Sequence, residues 1–254
     1  MIELIICGCN GHMGQEIAKQ AQGDPEIQVI AGIDRSPGKF NNGFPVYKDF
    51  SELKGKGNVV IDFSHPSYLE GLLDFGINNN IPLVLGTTGY SGEEMDSIKR
   101  AAQKIPVFYS ANTSIGVNIL LDFAKKAASI LNETFDIELI ERHDNKKLDA
   151  PSGTAYMIAG EINRVLGNSK SSVFGRKNES KARDKKEIGI HSVRGGGIKS
   201  EHVILFAGSN EVLELKHSTI SDRTFAIGAV DAAKFIVGKG KGLYSMEDVI
   251  NSAN

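Results

Sequence analysis

The sequence predicts an α/β protein in which a parallel sheet is followed by an α+β unit with a mixed or antiparallel sheet. Two patterns lead to this fold class. In the first part of the chain, continuous apolar runs alternate with helical segments, which is typical of βαβ units. From about residue 115, the helices lengthen and the strand-like runs alternate apolar and polar residues. We therefore predict a first domain at 1–113 and 223–254 and a second at 114–222.

Five apolar runs predict the strands of the first domain. They are "IELIIC" at 2–7, "IQVIAGID" at 27–34, "NVVIDF" at 58–63, "IPLVLG" at 81–86 and "IPVFYS" at 105–110. Apolar residues at helical spacing follow several of these runs, beginning with Ile17, Ala18 and Ala21. Because helical segments separate the runs, we expect the strands to be parallel and buried on both faces.

The second domain begins with a helical pattern from Val117 to Leu131, followed by a strand at 135–143 and a helix at about 153–166. Residues 168–187 carry seven Lys or Arg against three Asp or Glu, and predict a mobile loop that is either a basic lid over an anionic substrate or simply solvated. Three further runs, "IGIHSVR", "HVILFA" and "EVLELKH", are predicted to be antiparallel because their links are short. We expect the helical stretch "TFAIGAVDAAKFIVG" to return to the first domain.

The composition excludes several classes of protein. A hydrophobic content of 41% and a charged content of 24% are ordinary for a globular protein of 254 residues. The net charge of −2 provides no basic field for nucleic acid, and no apolar run approaches the roughly 20 residues of a membrane span. Cys7 and Cys9 are the only cysteines, and the first residues do not resemble a signal peptide. We expect a cytoplasmic protein without a metal site.

A glycine-rich stretch, "IICGCNGHMG", places Gly8, Gly11 and Gly14 between the first strand and the first helix. Glycines at such a turn let backbone N–H groups approach a pyrophosphate at the helix N-terminus. Asp34 ends the second strand, where a carboxylate can bind ribose hydroxyls, and Arg35 could hold a 2′-phosphate. We predict a Rossmann-like domain that binds NADH or NADPH, the alternative being a glycine-rich turn without a ligand.

Two polar loops follow the fourth and fifth strands. They are "GTTG" at 86–89 and "SANTSIGVN" at 110–118. Ligands of open parallel sheets bind beyond the carboxyl ends of the strands, so these loops are candidates for a nicotinamide pocket. Ordinary turn chemistry explains the same residue types equally well.

A third polar stretch, "HDNKKLDAPSGTA", lies between a predicted strand and a predicted helix at 143–155. Histidine is the natural proton donor near neutral pH, so His143 is a candidate general acid. Lys147 adds a positive charge, and the N–H groups of residues 152–154 at a helix start suit a carboxylate. The alternative is a solvated turn capped by Asp149 or Ser152.

The motifs "GCNGHMG", "GTTG", "SANTSIGVN" and "ERHDNKKLDAPSGTA", in this order, resemble the 4-hydroxy-tetrahydrodipicolinate reductase family, also called dihydrodipicolinate reductases. The resemblance continues through "EIGIHSVRGG", "EHVILFAG" and "TFAIGA", and so covers nearly the whole chain. It implies an enzyme of lysine and diaminopimelate biosynthesis that transfers hydride from NADH or NADPH to a small cyclic dicarboxylate. It also implies a Rossmann-like domain, a substrate domain whose sheet builds a homotetramer, and closure between the two.

The resemblance assigns roles residue by residue. His143 and Lys147 would be the catalytic pair, and the substrate would be bound by Thr88, Asp144, Ser152, Gly153 and Thr154. The cofactor would be bound by Gly8, Cys9, Asn10, Gly11, His12, Met13, Asp34, Arg35, Gly86, Thr87, Thr88, Ser110, Ala111, Asn112 and Thr113.

One departure from the family pattern concerns Asp144, which stands where the family has a second histidine. An aspartate repels a substrate carboxylate by about 4 kcal/mol at roughly 4 Å and an effective dielectric constant of about 20. Two other readings of the chain stay open, of which Asp144 favours only the second. One is a different NAD(P)-dependent amino-acid dehydrogenase, of the aspartate or homoserine type, and the other is a regulator that binds NAD(P)H without turnover.

Overall fold

The structure, a computed structural model, describes residues 1–53, 57–177 and 182–252. The chain forms two compact units. Unit 1 comprises Met1–Ile115 and Asp222–Asn254, and unit 2 comprises Gly116–Ser221. Among the described residues, no helix combines the length and the apolar character that crossing a bilayer requires.

Unit 1 is built on a seven-stranded sheet in which every pair of neighbouring strands is parallel. In chain order the strands are β1 (Ile2–Cys7), β2 (Ile27–Ile33), β3 (Val46–Tyr47), β4 (Val59–Asp62), β5 (Leu83–Leu85), β6 (Pro106–Tyr109) and β12 (Gly242–Tyr244). The order across the sheet is β12-β6-β5-β4-β1-β2-β3. The parallel sheet is confirmed, and the order reverses between β1 and β4, where open sheets of this kind bind their ligands.

Successive residues of a strand point to opposite sides of the sheet, and the strands of unit 1 are apolar on both sides. Helices therefore cover both faces of this sheet. Leu4 and Ile6 belong to one core, whereas Ile5 and Cys7 belong to the other. Met13 is partly buried against the first of these cores. The helices of unit 1 are α1 (His12–Gln22), α2 (Leu69–Asn79), α3 (Gly92–Ala102), α6 (Arg223–Ile236) and α7 (Met246–Asn251), with short 3-10 turns at Phe50–Glu52 and Pro66–Tyr68.

Unit 2 contains a five-stranded mixed sheet in the order β11-β10-β7-β9-β8. Its strands are β7 (Asp136–His143), β8 (Ser171–Phe174), β9 (Glu187–Arg194), β10 (Ser200–Ala207) and β11 (Val212–Thr219). Two helices, α4 (Ile115–Leu131) and α5 (Gly153–Val165), contribute to its core. The alternating burial of β7 turns Ile137, Leu139, Glu141 and His143 toward the inside.

Two predictions for unit 2 differ from the structure. Strands β9 and β10 are not neighbours, because β7 lies between them, parallel to β9 and antiparallel to β10. The link at 195–199 is long enough to cross the roughly 10 Å of two strand spacings. Part of the predicted mobile loop forms β8, an edge strand with mostly exposed side chains. Residues 178–181 of that predicted loop lie outside the described residues.

Candidate active site

The glycine loop of unit 1 is too closely packed for any other residue at two of its positions. Gly8 has a φ of +80°, and a Cβ there would lie 2.4 Å from the carbonyl oxygen of Phe63. A Cβ at Gly14 would lie 2.1 Å from the carbonyl oxygen of Gly8. Gly11 is the N-cap of α1 and offers no side-chain cap, so the first N–H groups of this helix face outward with the positive end of its dipole. This geometry fits a pyrophosphate group.

Asp34 is held in place by the same loop. Its Oδ2 accepts a hydrogen bond of 3.0 Å from the Asn10 N–H, and its Oδ1 accepts one of 2.9 Å from the Ser36 N–H. Arg35 beside it is exposed. A cavity of about 990 Å³ opens next to these residues and is lined, among others, by Gly8, Gly11, Asp34, Arg35, Phe63, Ser64, His65 and Tyr68. The cavity and its fixed carboxylate fit a nucleoside of the dinucleotide class.

Two side chains of the glycine loop are buried, and a third, that of His12, is exposed but paired with a carboxylate. Cys9 is fully buried, and Asn10 donates a hydrogen bond of 2.6 Å to the carbonyl oxygen of Ser36. The His12 Nε2 lies 3.0 Å from Oδ2 of Asp222. The side chains of Cys9 and Asn10 are therefore not directed at a cofactor, and their backbone N–H groups donate to Ile33 and Asp34.

The "GTTG" loop follows β5 at the same edge of the sheet. Gly86 packs flat against Phe63, since a Cβ would lie 2.2 Å from that ring. The Thr87 hydroxyl is buried and accepts a hydrogen bond of 2.8 Å from the Ser64 N–H. Thr88 is exposed, so the loop presents its second threonine and its backbone outward.

The segment after β6 reaches this edge as well. Ser110 donates a hydrogen bond of 2.7 Å to the carbonyl oxygen of Asn112, which closes a tight turn. Thr113 is buried and donates one of 2.7 Å to the carbonyl oxygen of Phe225. Ala111 is exposed at the tip of the turn. The structure thus brings the predicted cofactor loops to one edge of the sheet and directs the Thr113 side chain inward.

A buried ionic group of unit 2 surrounds His143. We call it the His143 cluster, and its members are Glu141, His143, Ser152, Arg194 and His202. Glu141 is completely buried, and its Oε2 lies 2.5 Å from Nδ1 of His143. Arg194 binds the same carboxylate with both terminal nitrogens, at 2.8 Å to Oε2 and 2.7 Å to Oε1. The buried negative charge is therefore neutralised by a bidentate ion pair.

The protonation of this cluster follows from its contacts. Burial alone would raise the pKa of Glu141, but hydrogen bonds from Arg194, Ser192 and His143 outweigh it and lower the pKa to about 2. An ionised carboxylate only accepts hydrogen bonds, so Nδ1 of His143 must carry a proton. Within the described ranges, no hydrogen bond involves Nε2 of His143, which leaves this nitrogen for a ligand.

Ser152 and His202 complete the cluster at the start of α5. The Ser152 hydroxyl caps the helix by accepting a hydrogen bond of 3.2 Å from the Ala155 N–H, and it lies 3.0 Å from Nε2 of His202. The Ser152 N–H donates to Oε1 of Glu141 at 3.3 Å. The N–H and the hydroxyl of Ser152 are thus both used inside the protein. The predicted anion site at 152–154 therefore does not include the polar groups of Ser152. Burial, reinforced by the charge of His143, lowers the pKa of His202 to about 4, so this ring is neutral at pH 7.

The loop between β7 and α5 carries the remaining predicted residues. Lys147 forms an ion pair of 2.8 Å with Oδ1 of Asp149. Asp144 turns toward its own loop, because its Oδ1 accepts a hydrogen bond of 2.8 Å from the Lys146 N–H. Gly153 is exposed, and no heavy atom lies within 4 Å of the position of a Cβ there.

Sequence reasoning missed three members of the cluster. Glu141 could have been found, because residues two apart on a strand share a face and it lies two positions before His143. Arg194 and His202 come from β9 and β10, which flank β7 on opposite sides. Their approach depends on strand order and register, which no local pattern reveals.

The glycine loop with its fixed carboxylate and the buried imidazole–carboxylate pair define an NAD(P)H-dependent oxidoreductase. Models described as the N-terminus and the C-terminus of dihydrodipicolinate reductase match residues 2–113 and 116–250. The chain belongs to the dihydrodipicolinate reductase family.

Similar proteins cover almost the whole chain. A 4-hydroxy-tetrahydrodipicolinate reductase of Caldanaerobacter subterraneus subsp. tengcongensis is 48% identical over 98% of both chains. One of Clostridium novyi is 42% identical over 100% of both. A dipicolinate-bound dihydrodipicolinate reductase from Paenisporosarcina sp. TG-14 is a structural neighbour with a TM-score of 0.81 and 28% identity, covering 98% of this chain and 99% of that one.

Proposed function

We propose that this protein reduces 4-hydroxy-tetrahydrodipicolinate to tetrahydrodipicolinate with NADH or NADPH, as a step of lysine and diaminopimelate biosynthesis. The observation that carries the proposal is the buried Glu141–His143 pair beside the N-terminus of α5. This arrangement combines a proton donor with an anion site, and it occurs in a chain of the reductase family.

Unit 1 binds the dinucleotide. The N–H groups at the start of α1 bind the pyrophosphate, and Asp34 binds the adenosine ribose. Arg35 binds the 2′-phosphate when NADPH is the cofactor, which is supported by its exposed position at the cavity. The loops at 86–88 and 110–113 bind the nicotinamide end, with Thr88 also reaching the substrate. When bound, the reduced cofactor supplies the hydride.

His143 donates the proton that the reaction needs. The conversion replaces a ring hydroxyl by hydrogen, so one hydride and one proton enter and one water leaves. Glu141 accepts from Nδ1 and so stabilises the charged ring, which can donate from Nε2. Arg194 in turn fixes the carboxylate through two hydrogen bonds. Lys147 supports the negative charge of the substrate from the neighbouring loop.

The N-terminus of α5 binds a substrate carboxylate. Gly153 and Thr154 are the first two residues of this helix, where the dipole favours an anion, and the space at Gly153 is open. Ser152 supports the site indirectly, because it caps the helix and joins it to Glu141 and His202. Asp144 lies at the margin of the substrate site, where its negative charge weakens binding of the dicarboxylate. The effect is limited because the Asp144 side chain turns toward the Lys146 N–H.

We infer a homotetramer built through the sheet of unit 2, which is supported by exposed apolar side chains such as Val193 and Val212 on its strands. We infer a cytoplasmic location, which is supported by the two free, buried thiols of Cys7 and Cys9.

The test uses purified protein, NADH or NADPH, and substrate generated enzymatically. Loss of the absorbance of the reduced cofactor, dependent on substrate, is the expected result. Aspartate and homoserine with oxidised cofactor serve as comparison substrates, and their turnover in place of the dicarboxylate would assign a different dehydrogenase. Tight cofactor binding with no turnover of any of them would assign a non-catalytic regulator.

A further inference from the structure

A second buried carboxylate lies in unit 1, where the strand order reverses. Asp62 is the last residue of β4 and is 1% exposed. Its register places it beside Cys7 at the end of β1 and Leu85 at the end of β5. Burying a carboxylate without partners destabilises the fold, so the hydrogen bonds that Asp62 accepts must offset the loss of its hydration.

The partners of Asp62 are almost all hydroxyl groups. Ser64 donates to Oδ1 at 2.5 Å, whereas Thr87 and Tyr90 donate to Oδ2 at 2.6 Å and 3.2 Å. In the part of the chain that the structure describes, Asp62 forms no ion pair. Burial raises the pKa of Asp62, and these hydrogen bonds oppose that shift. The hydroxyl groups therefore stabilise the buried carboxylate, and the carboxylate in turn orients the hydroxyl groups.

Two of these hydroxyls belong to different parts of the proposed dinucleotide site. Ser64 lines the nucleotide cavity. Thr87 lies in the "GTTG" loop, which we propose to bind the nicotinamide end. The Thr87 hydroxyl donates to Asp62 and accepts from the Ser64 N–H at 2.8 Å, so both of its functions are used inside the protein. One carboxylate thus fixes the cavity wall and the loop relative to each other.

We propose that Asp62 is a positioning residue for NAD(P)H: through Ser64 and Thr87 it sets the spacing between the nucleoside cavity and the nicotinamide loop. This inference rests on the proposed function. A site whose two ends are held before binding loses less conformational freedom when the dinucleotide binds. Asp62 therefore acts on cofactor affinity and makes no contact with the dicarboxylate.

The test compares Asp62→Asn with Asp96→Asn in the full-length protein. The first substitution keeps the shape of the side chain but removes the charge that orients the hydroxyls. KM for NAD(P)H is therefore expected to rise by about tenfold or more, the equivalent of ~1.4 kcal/mol, with KM for the dicarboxylate unchanged. Asp96 is the control, because its side chain is 62% exposed and lies on α3. A residue that only stabilises the fold would lower Tm and the active fraction, but not change the cofactor KM.

A second pair of variants keeps the proposal testable if Asp62→Asn does not fold. Thr87→Val removes the shared hydroxyl and is expected to weaken cofactor binding by a similar factor, whereas Thr87→Ser retains the hydroxyl and is expected to restore it. Where Asp62→Asn does fold, the loss in the combined variant Asp62→Asn/Thr87→Val should be smaller than the sum of the two single losses, since both substitutions remove the hydrogen bond between Thr87 and Asp62.

Binding is measured by NADH fluorescence as well as by turnover, which separates this inference from the proposed function. A wild-type protein that binds NADH but does not turn over the dicarboxylate would refute the proposed function, while the change in Kd between variants would still test Asp62. A cofactor Kd within about twofold of wild type in both Asp62→Asn and Thr87→Val would overturn the role of Asp62.

Discussion

Replacing Glu141 by glutamine tests whether the buried carboxylate supports catalysis by His143. Glutamine keeps the shape of the side chain but removes the negative charge that faces Nδ1 of His143 at 2.5 Å. Its amide also replaces one carboxylate oxygen by an NH2 group, a donor that would face the donating nitrogens of Arg194, which now bind both oxygens. The charged form of the ring is thus left without its stabilising partner.

The size of the effect follows from this one interaction. A hydrogen bond to a charged group contributes about 1.5–3 kcal/mol, so its loss at the proton-transfer step lowers kcat by about 10- to 150-fold. The side chain is fully buried, so solvent cannot replace the lost contact. KM for NAD(P)H is expected to stay unchanged, because the proposed cofactor residues belong to unit 1.

The assay is steady-state oxidation of the reduced cofactor with both substrates saturating. Glu201→Gln is the matched control, because Glu201 also pairs with an arginine, at 2.6 Å to Arg142, but is not part of the His143 cluster. A kcat for Glu141→Gln within about twofold of that of Glu201→Gln would refute the positioning role of Glu141.

Three further predictions concern the same unit. His143→Ala is expected to lower kcat by roughly 10²–10⁴, and a rate near that of the wild type would exclude His143 as the donor. Asp144→His is expected to lower KM for the dicarboxylate without changing the cofactor KM, and an unchanged or raised value would place Asp144 away from the substrate. Because the folded-state pKa of Glu141, about 2, lies below its usual 4.5, its charge stabilises the fold above pH 4.5 and this contribution is lost as the pH falls toward 2. Urea titrations from pH 5 to 3 should accordingly show a smaller loss of stability in Glu141→Gln, and equal losses in both proteins would contradict the shift.

Local patterns in the sequence predicted the glycine turn of unit 1, because its conformation depends on the residues of the turn itself. Gly8 must adopt a positive φ, and the turn at Gly14 has no space for a Cβ, so the glycine spacing directly reflects backbone geometry. The short strands β3 and β12 escaped prediction because two or three residues are too few to show a periodicity.

The parts that sequence reasoning missed depend on distant residues. Strand β8 has no apolar alternation, since it lies at the sheet edge with most side chains exposed. Arg194 meets Glu141 only because β9 pairs with β7 rather than with β10. Asp62 ends an apolar run like an ordinary strand terminus, and its role depends on Thr87, 25 residues later.

The bond between Asp34 and the Asn10 N–H has a consequence for redesigning coenzyme preference. An exchange of Asp34, the obvious way to favour a phosphorylated ribose, would also release the backbone of the glycine loop, which we propose to bind the pyrophosphate. Selectivity and overall affinity are thus linked at this position. Arg35 is exposed, so an engineer can vary it with less risk to the loop.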